Sequence, residues 1–100
     1  MPQVQIVELK NDIAVPFANL KSFILLCDQL NVAITGFEGV YLRDTHIIPS
    51  IKHIADFSSL AEKYKRWSQF QTASIHAAML FAENVPGEGL YFIPGLKEKK

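Results

Sequence analysis

Apolar residues recur at helical spacings in the first third of the chain. The pattern starts at Pro16, a residue well placed in the first turn of a helix, and continues to Asn31. The apolar positions are Phe17, Leu20, Phe23, Ile24, Cys27 and Leu30. Spacings close to one helical turn place these side chains on one side, so the pattern predicts an amphipathic helix.

A longer helical pattern follows Ser58 and Ser59, either of which could cap a helix. Its apolar stripe proceeds in steps of three and four residues through Leu60, Tyr64, Trp67, Phe70, Ser74, Ala78 and Phe81. Asn84 is a suitable C-terminal cap, and Pro86-Gly87 could not continue a helix. The pattern therefore predicts one long helix from about Ser59 to Glu83.

Alternation of apolar and polar residues, with many β-branched side chains, predicts strands elsewhere. The predicted strands are about Val4–Val7, Val32–Thr35, Val40–Leu42, His46–Ile48 and Gly89–Ile93. The segment Gly36–Gly39 fits either a hairpin turn or a bulge within one long strand. We expect one strand to end at Pro49, because proline cannot donate to a central ladder, and another at Pro94-Gly95.

Length and composition set the number of domains. One hundred residues with 49% apolar content suffice for one hydrophobic core and are too few for two stable domains. We expect a single α+β domain over residues 1–96, in which a small antiparallel sheet packs against two helices, the second long. A charged and frayed C-terminal tail would follow at residues 97–100.

Charge and cysteine content narrow the partners and the compartment. Ten basic and ten acidic residues cancel, which removes the positive field that nucleic-acid binding draws on. Cys27 is the only cysteine, so no intramolecular disulfide can form. The start Met1-Pro2-Gln3 lacks the basic and apolar parts of a signal peptide, and no apolar run approaches the roughly 20 residues of a membrane span. We therefore expect a cytoplasmic protein that binds neither nucleic acid nor membrane.

Candidate catalytic and metal-binding residues form no known motif. His46, His53 and His76 match no zinc-binding spacing, and Cys27 lies on an apolar stripe, where a cysteine acts as a small hydrophobe. Nucleophile-elbow, phosphate-loop and dinucleotide motifs are lacking in the sequence. We expect a protein that is not an enzyme and uses no metal or cofactor.

Two segments resemble parts of small bacterial immunity proteins of toxin–immunity systems. They are Ile34–Leu42, with the sequence ITGFEGVYL, and, after Ile48-Pro49, Ile54–Ser58, with the sequence IADFS. The resemblance implies a stoichiometric inhibitor that covers the active site of a cognate toxin, often a nuclease, with acidic groups that imitate or repel phosphate. Glu38 and Asp56 lie within these segments, and Asp44 is added because of its position between them.

The leading hypothesis is a protein-binding module, of which an immunity-type inhibitor is one form. Its sheet and adjacent turns would present Glu38, Tyr41, Asp44 and Asp56 to a partner protein such as a toxin domain. One alternative is a small-molecule-binding domain, or an enzyme, with a pocket between the long helix and the sheet. The other is a structural homodimer formed through excess apolar area on the long helix.

Overall fold

The computed structural model describes residues 6–9, 12–43 and 46–99, except for the side chains of residues 51 and 52. Within these residues the chain forms five strands: β1 Val7–Glu8, β2 Ile13–Pro16, β3 Val32–Arg43, β4 His46–Asp56 and β5 Tyr91–Glu98. It also forms three α-helices, which are α1 Leu20–Gln29, α2 Leu60–Lys63 and α3 Trp67–Asn84, and a 3₁₀ turn at Phe17–Asn19. The fold is α+β, with an antiparallel sheet and one long helix, as the sequence predicted.

The sheet has the strand order β1-β2-β5-β3-β4, and every neighbouring pair is antiparallel. β3 is a single long strand that pairs with both β4 and β5, so Gly36–Gly39 belongs to a strand with irregular register and not to a hairpin turn. A Cβ atom at Gly36 would overlap the carbonyl oxygen of Ala55, because β3 and β4 approach closely there. Only glycine fits this position without a shift of the backbone.

Two predicted strand ends are wrong. β4 continues through Pro49 to Asp56, and a proline is tolerated because β4 lies at the edge of the sheet. β5 continues through Pro94-Gly95, so Lys97 and Glu98 lie in a strand and not in a frayed tail. β2 was not predicted at all, and the first half of the predicted strand Val4–Val7 lies outside the described residues.

The predicted single long helix is also wrong, because the chain is extended between α2 and α3. Tyr64 has φ −113° and ψ 106°, and Arg66 has φ −83° and ψ 136°. With α3 starting at Trp67, the Trp67 indole N–H donates a 3.0 Å hydrogen bond to Oδ1 of Asn31, just after α1. A contact between distant parts of the chain thus accompanies the break, and helical periodicity alone cannot reveal such a contact.

The core lies between the sheet and the helices α1 and α3. Phe37 of β3 stacks on Phe81 of α3 with ring centroids 5.4 Å apart, and Phe57 and Phe92 meet these rings edge to face. α1 contributes buried side chains from Leu20, Phe23, Ile24 and Cys27. Burial raises the pKa of the Cys27 thiol to about 11, so the thiol stays neutral at ordinary pH.

Buried hydrogen bonds fix α3 against β3. The backbone N–H of Ile34, next to the irregularity in the pairing of β3 with β5, donates to the buried Ser74 hydroxyl at 3.1 Å. Ser74 in turn donates to the Gln71 carbonyl at 2.8 Å. The Gln71 side-chain amide donates to Oδ1 of Asp28 at 3.1 Å and to the Val32 carbonyl at 3.2 Å. These bonds set the position of the long helix on the sheet.

Candidate functional site

Glu38 lies in the middle of β3, where strands pair on both sides. Its carboxylate side chain is exposed, and its register partners are Ile54 on β4 and Ile93 on β5. Directly opposed residues of antiparallel strands point to the same face of a sheet. Ile54 remains 56% exposed, so it presents an apolar side chain to solvent beside the Glu38 carboxylate.

Asp56 lies two residues after Ile54 and pairs with Gly36, so it points to the same face as Glu38. Its Oδ1 atom accepts the backbone N–H of Ser58 at 2.9 Å. The hydrogen bonds from Ser58 lower the pKa of the exposed Asp56 carboxyl, which holds the group in its ionised form. Glu38, Ile54, Asp56 and Ile93 together are called the Glu38 face below.

Tyr41 does not belong to the Glu38 face. β3 keeps a regular register with β5 from Phe37 to Val40, so successive side chains alternate between faces. Tyr41 is three positions beyond Glu38 and therefore points to the opposite face, where its register partner is Ile48. Asp44 lies outside the described residues. Of the four predicted site residues, the structure brings Glu38 and Asp56 together.

Sequence reasoning missed the two isoleucines of the Glu38 face. The alternation in Ile54-Ala55-Asp56-Phe57 places the first and third side chains on one face, and it could have drawn attention to Ile54. Ile93 was predicted as a strand residue, but the strand order that brings it beside Glu38 cannot be read from the sequence.

A second candidate surface is an open groove along α3. It has a volume of about 720 Å³ and is called the α3 groove below. Its lining residues are Leu60, Tyr64, Ser68, Gln69, Thr72, Ala73, His76, Ala77 and Leu80. The break between α2 and α3 places Leu60 and Tyr64 beside the side of α3 that faces away from the core, so the groove is a product of that break.

A smaller recess of about 410 Å³ lies between the end of α3 and β4 and is lined by His53, Phe81, Asn84, Val85 and Pro86. The alternative of a small-molecule site between long helix and sheet would place its ligand here. Two of its polar atoms are already engaged: His53 Nδ1 lies 2.6 Å from the Ser50 hydroxyl, and the Asn84 amide nitrogen donates to the Leu80 carbonyl.

The three histidines, which match no zinc-binding spacing in the sequence, lie at three different places in the structure. His46 is exposed on β4, His53 lines the recess and His76 lines the α3 groove. In the part of the chain that the structure describes, no group of three or more His, Cys, Asp or Glu side chains could hold a metal ion. None of the described helices has the length and apolar character to cross a membrane.

Comparison with known proteins gives no match. No family model, no curated protein and no solved structure matches the chain. Function is therefore inferred from the described side chains and their surroundings.

Proposed function

We propose that the chain is a protein-binding module that contacts its partner through the Glu38 face. The observation that carries the proposal is the 56% exposed side chain of Ile54 on the same face as the carboxylates of Glu38 and Asp56. Binding sites between proteins commonly combine an apolar anchor that becomes buried with a charged rim. Ile54 would be the anchor, and the two carboxylates would select a basic partner surface.

The setting of these side chains favours binding without rearrangement. β3 is held by strands on both sides at Glu38, and the neighbouring Phe37 is packed into the aromatic core. Asp56 is held by its hydrogen bond to the Ser58 backbone. Groups that are already fixed lose little conformational entropy when a partner arrives, so more of the contact energy contributes to affinity.

The edge of β4 is a poorer docking element than the face. Pro49 cannot donate a backbone hydrogen bond, and residues 50–53 of β4 stand opposite Gly39 alone. A proline and an irregular strand both hinder the addition of a further strand to a sheet edge. We therefore place the contact on side chains of the Glu38 face, and not on the backbone of β4.

The more specific form of the proposal is an immunity-type inhibitor that neutralises a cognate bacterial toxin by stoichiometric binding in the cytoplasm. It is supported by the resemblance of Ile34–Leu42 and Ile54–Ser58 to immunity proteins. These two segments pair with each other from Gly36 opposite Asp56 to Glu38 opposite Ile54, so they contribute to one surface. In this role the chain would block a toxin by occupying its site, without catalysis, metal or cofactor of its own.

The test compares the same apolar-to-aspartate change at two exposed positions, one on the Glu38 face and one away from it. The tagged chain is used to capture a partner from its own organism, and the mass of the complex is measured by light scattering. Ile54→Asp is then compared with Leu25→Asp, a control at a 52% exposed position on α1. We expect a one-to-one complex whose affinity falls about 30-fold or more with Ile54→Asp, a loss of about 2 kcal/mol, and is unchanged with Leu25→Asp.

A partner bound equally well by the Ile54→Asp variant would contradict the proposed surface. Circular dichroism of both variants establishes that each is folded, so loss of binding cannot be mistaken for loss of structure. The toxin form has its own readout. Co-expression of the chain should abolish the toxicity of the captured protein, and unchanged toxicity in the presence of a stable complex would overturn that form alone.

A further inference from the structure

The α3 groove has features of a surface against which a second helix can pack. Its lining residues on α3 recur in steps of about one turn, through Gln69, Thr72, His76 and Leu80, along one straight side of the helix. Small side chains at Ala73 and Ala77 accompany this stripe, and Leu80 is 48% exposed. Small residues allow a second helix to approach to the usual interaxial distance of about 8–10 Å.

The two ends of the groove carry opposite charge. At one end Lys63, the last residue of α2, is exposed, as are Lys65 and Arg66 in the segment that joins α2 to α3. Glu62 of α2 is exposed beside them, so the net charge of this end is positive. The Lys63 ammonium lies 5.4 Å from the ring centroid of Tyr64, which lines the groove, so this positive charge adjoins it.

At the other end Glu83 is exposed, seven residues after His76. Seven residues are close to two helical turns, so Glu83 lies on the same side of α3 as His76. A rise of 1.5 Å per residue puts about 25 Å between Arg66 and Glu83. The groove thus has a basic end and an acidic end, separated by most of the length of α3.

We infer that the α3 groove is a self-association surface, and that its occupant is α3 of a second copy of this chain, packed antiparallel across a twofold axis. An antiparallel arrangement brings Glu83 of each copy to the Lys65 and Arg66 end of the other. A parallel arrangement would place like charges together. A twofold contact of this kind uses the same surface on both copies and closes at two.

The zero net charge of the chain is compatible with self-association, since two copies do not repel each other as whole molecules. The groove uses none of the residues of the Glu38 face, so a dimer leaves that face free for a different protein. The inference thus goes beyond the proposed function and stands or falls separately from it.

The first test is the concentration dependence of the mass, measured by analytical ultracentrifugation from micromolar to millimolar protein. Thr72→Glu adds a charge at an exposed position in the groove, and Gln29→Glu adds the same charge at an exposed position on α1. We expect a dimer for the unchanged chain, a Kd at least about tenfold higher for Thr72→Glu because association is weakened, and an unchanged Kd for Gln29→Glu.

The second test reverses the charges. Glu83→Lys alone, and Lys65→Glu with Arg66→Glu, should each raise the dimer Kd, and the triple variant should lower it again. Glu88→Lys, an equal change of charge beyond the end of α3, is the control and should have no effect. Recovery in the triple variant identifies the antiparallel contact, because a merely structural defect would not be repaired by a second charge change.

A chain that is monomeric at every concentration overturns the inference, as does a dimer whose Kd is unaffected by Thr72→Glu and Glu83→Lys. A monomer that binds an amphipathic helical peptide or an apolar fluorescent dye in the groove overturns it too, and assigns the groove to that other occupant. The Ile54→Asp variant should still dimerise, so failure of the proposed function and failure of this inference are distinguishable.

Discussion

The Glu38 face and the α3 groove are built by opposite means. The Glu38 face lies on three strands, of which β3, with Glu38, is hydrogen-bonded on both sides, and β4, with Ile54 and Asp56, is the edge strand. The α3 groove lies between two helices, one of them only four residues long, and depends on an extended segment at Tyr64–Arg66. The geometry of the Glu38 face is set by strand pairing, whereas the width of the α3 groove depends on the position of α2.

The two surfaces also differ in the charges that they present. Among the side chains that the structure describes, the charged groups of the Glu38 face are carboxylates beside isoleucine side chains, which complement a surface unlike the face itself. The α3 groove has basic residues at one end and Glu83 at the other, and so complements its own copy when turned around. A surface of one sign points to a different partner, and a surface with two signs at its ends fits self-association.

The largest expected effect concerns the aromatic core that lies between the strand of the Glu38 face and the helix of the α3 groove. Phe37 lies beside Glu38 on β3 and stacks on Phe81 of α3, so Phe37→Ala should disturb both. We expect a loss of about 3–5 kcal/mol in the free energy of unfolding, because a large cavity would open in the core. Urea denaturation measures it. A loss under about 1 kcal/mol would mean that the aromatic cluster does not support the fold as described.

A smaller effect isolates the attachment of α3 to the sheet. Ser74→Ala removes the acceptor of the buried Ile34 N–H, and an unpaired buried donor costs about 1–3 kcal/mol. Ser68→Ala, at an exposed position in the groove, should change the free energy of unfolding by less than about 0.5 kcal/mol. Equal stabilities of the two variants in urea denaturation would count against the role of Ser74.

The smallest effect sharpens the description of the Glu38 face. The pKa of Asp56 is lowered by the Ser58 hydrogen bonds, so its contribution to stability is present above the ordinary carboxyl pKa and is lost as pH falls through the lowered value. Asp56→Asn keeps an acceptor for Ser58 and does not titrate. The stability difference between the two chains should therefore shrink below about pH 4. NMR titration of the Asp56 carboxyl gives the pKa directly, and an ordinary value would contradict the described hydrogen bonds.

Local patterns predicted much of the secondary structure. The apolar spacing from Phe17 to Leu30 found α1, and the stripe through Phe70, Ser74 and Ala78 found the buried side of α3. Gly36–Gly39 left two possibilities open, because a bulge and a turn need the same residue types. The structure places the segment inside β3.

Features that depend on contacts between distant residues were not predicted. The break at Tyr64–Arg66 accompanies the Trp67 to Asn31 hydrogen bond, and Pro49 is tolerated only because β4 is at an edge. The same limit applies to the candidate site. Its acidic residues were predicted individually from the sequence. Strand register places Glu38 and Asp56 on one face and Tyr41 on the opposite face, and the sequence does not reveal that register.

The most direct measurement is calorimetric titration of the captured partner into the unchanged chain and into the Ile54→Asp and Thr72→Glu variants. The account predicts an affinity that falls about 30-fold or more with Ile54→Asp and stays the same with Thr72→Glu. Unchanged binding by Ile54→Asp, or an equal loss with Thr72→Glu, would contradict the claim that the Glu38 face is where this protein meets its partner.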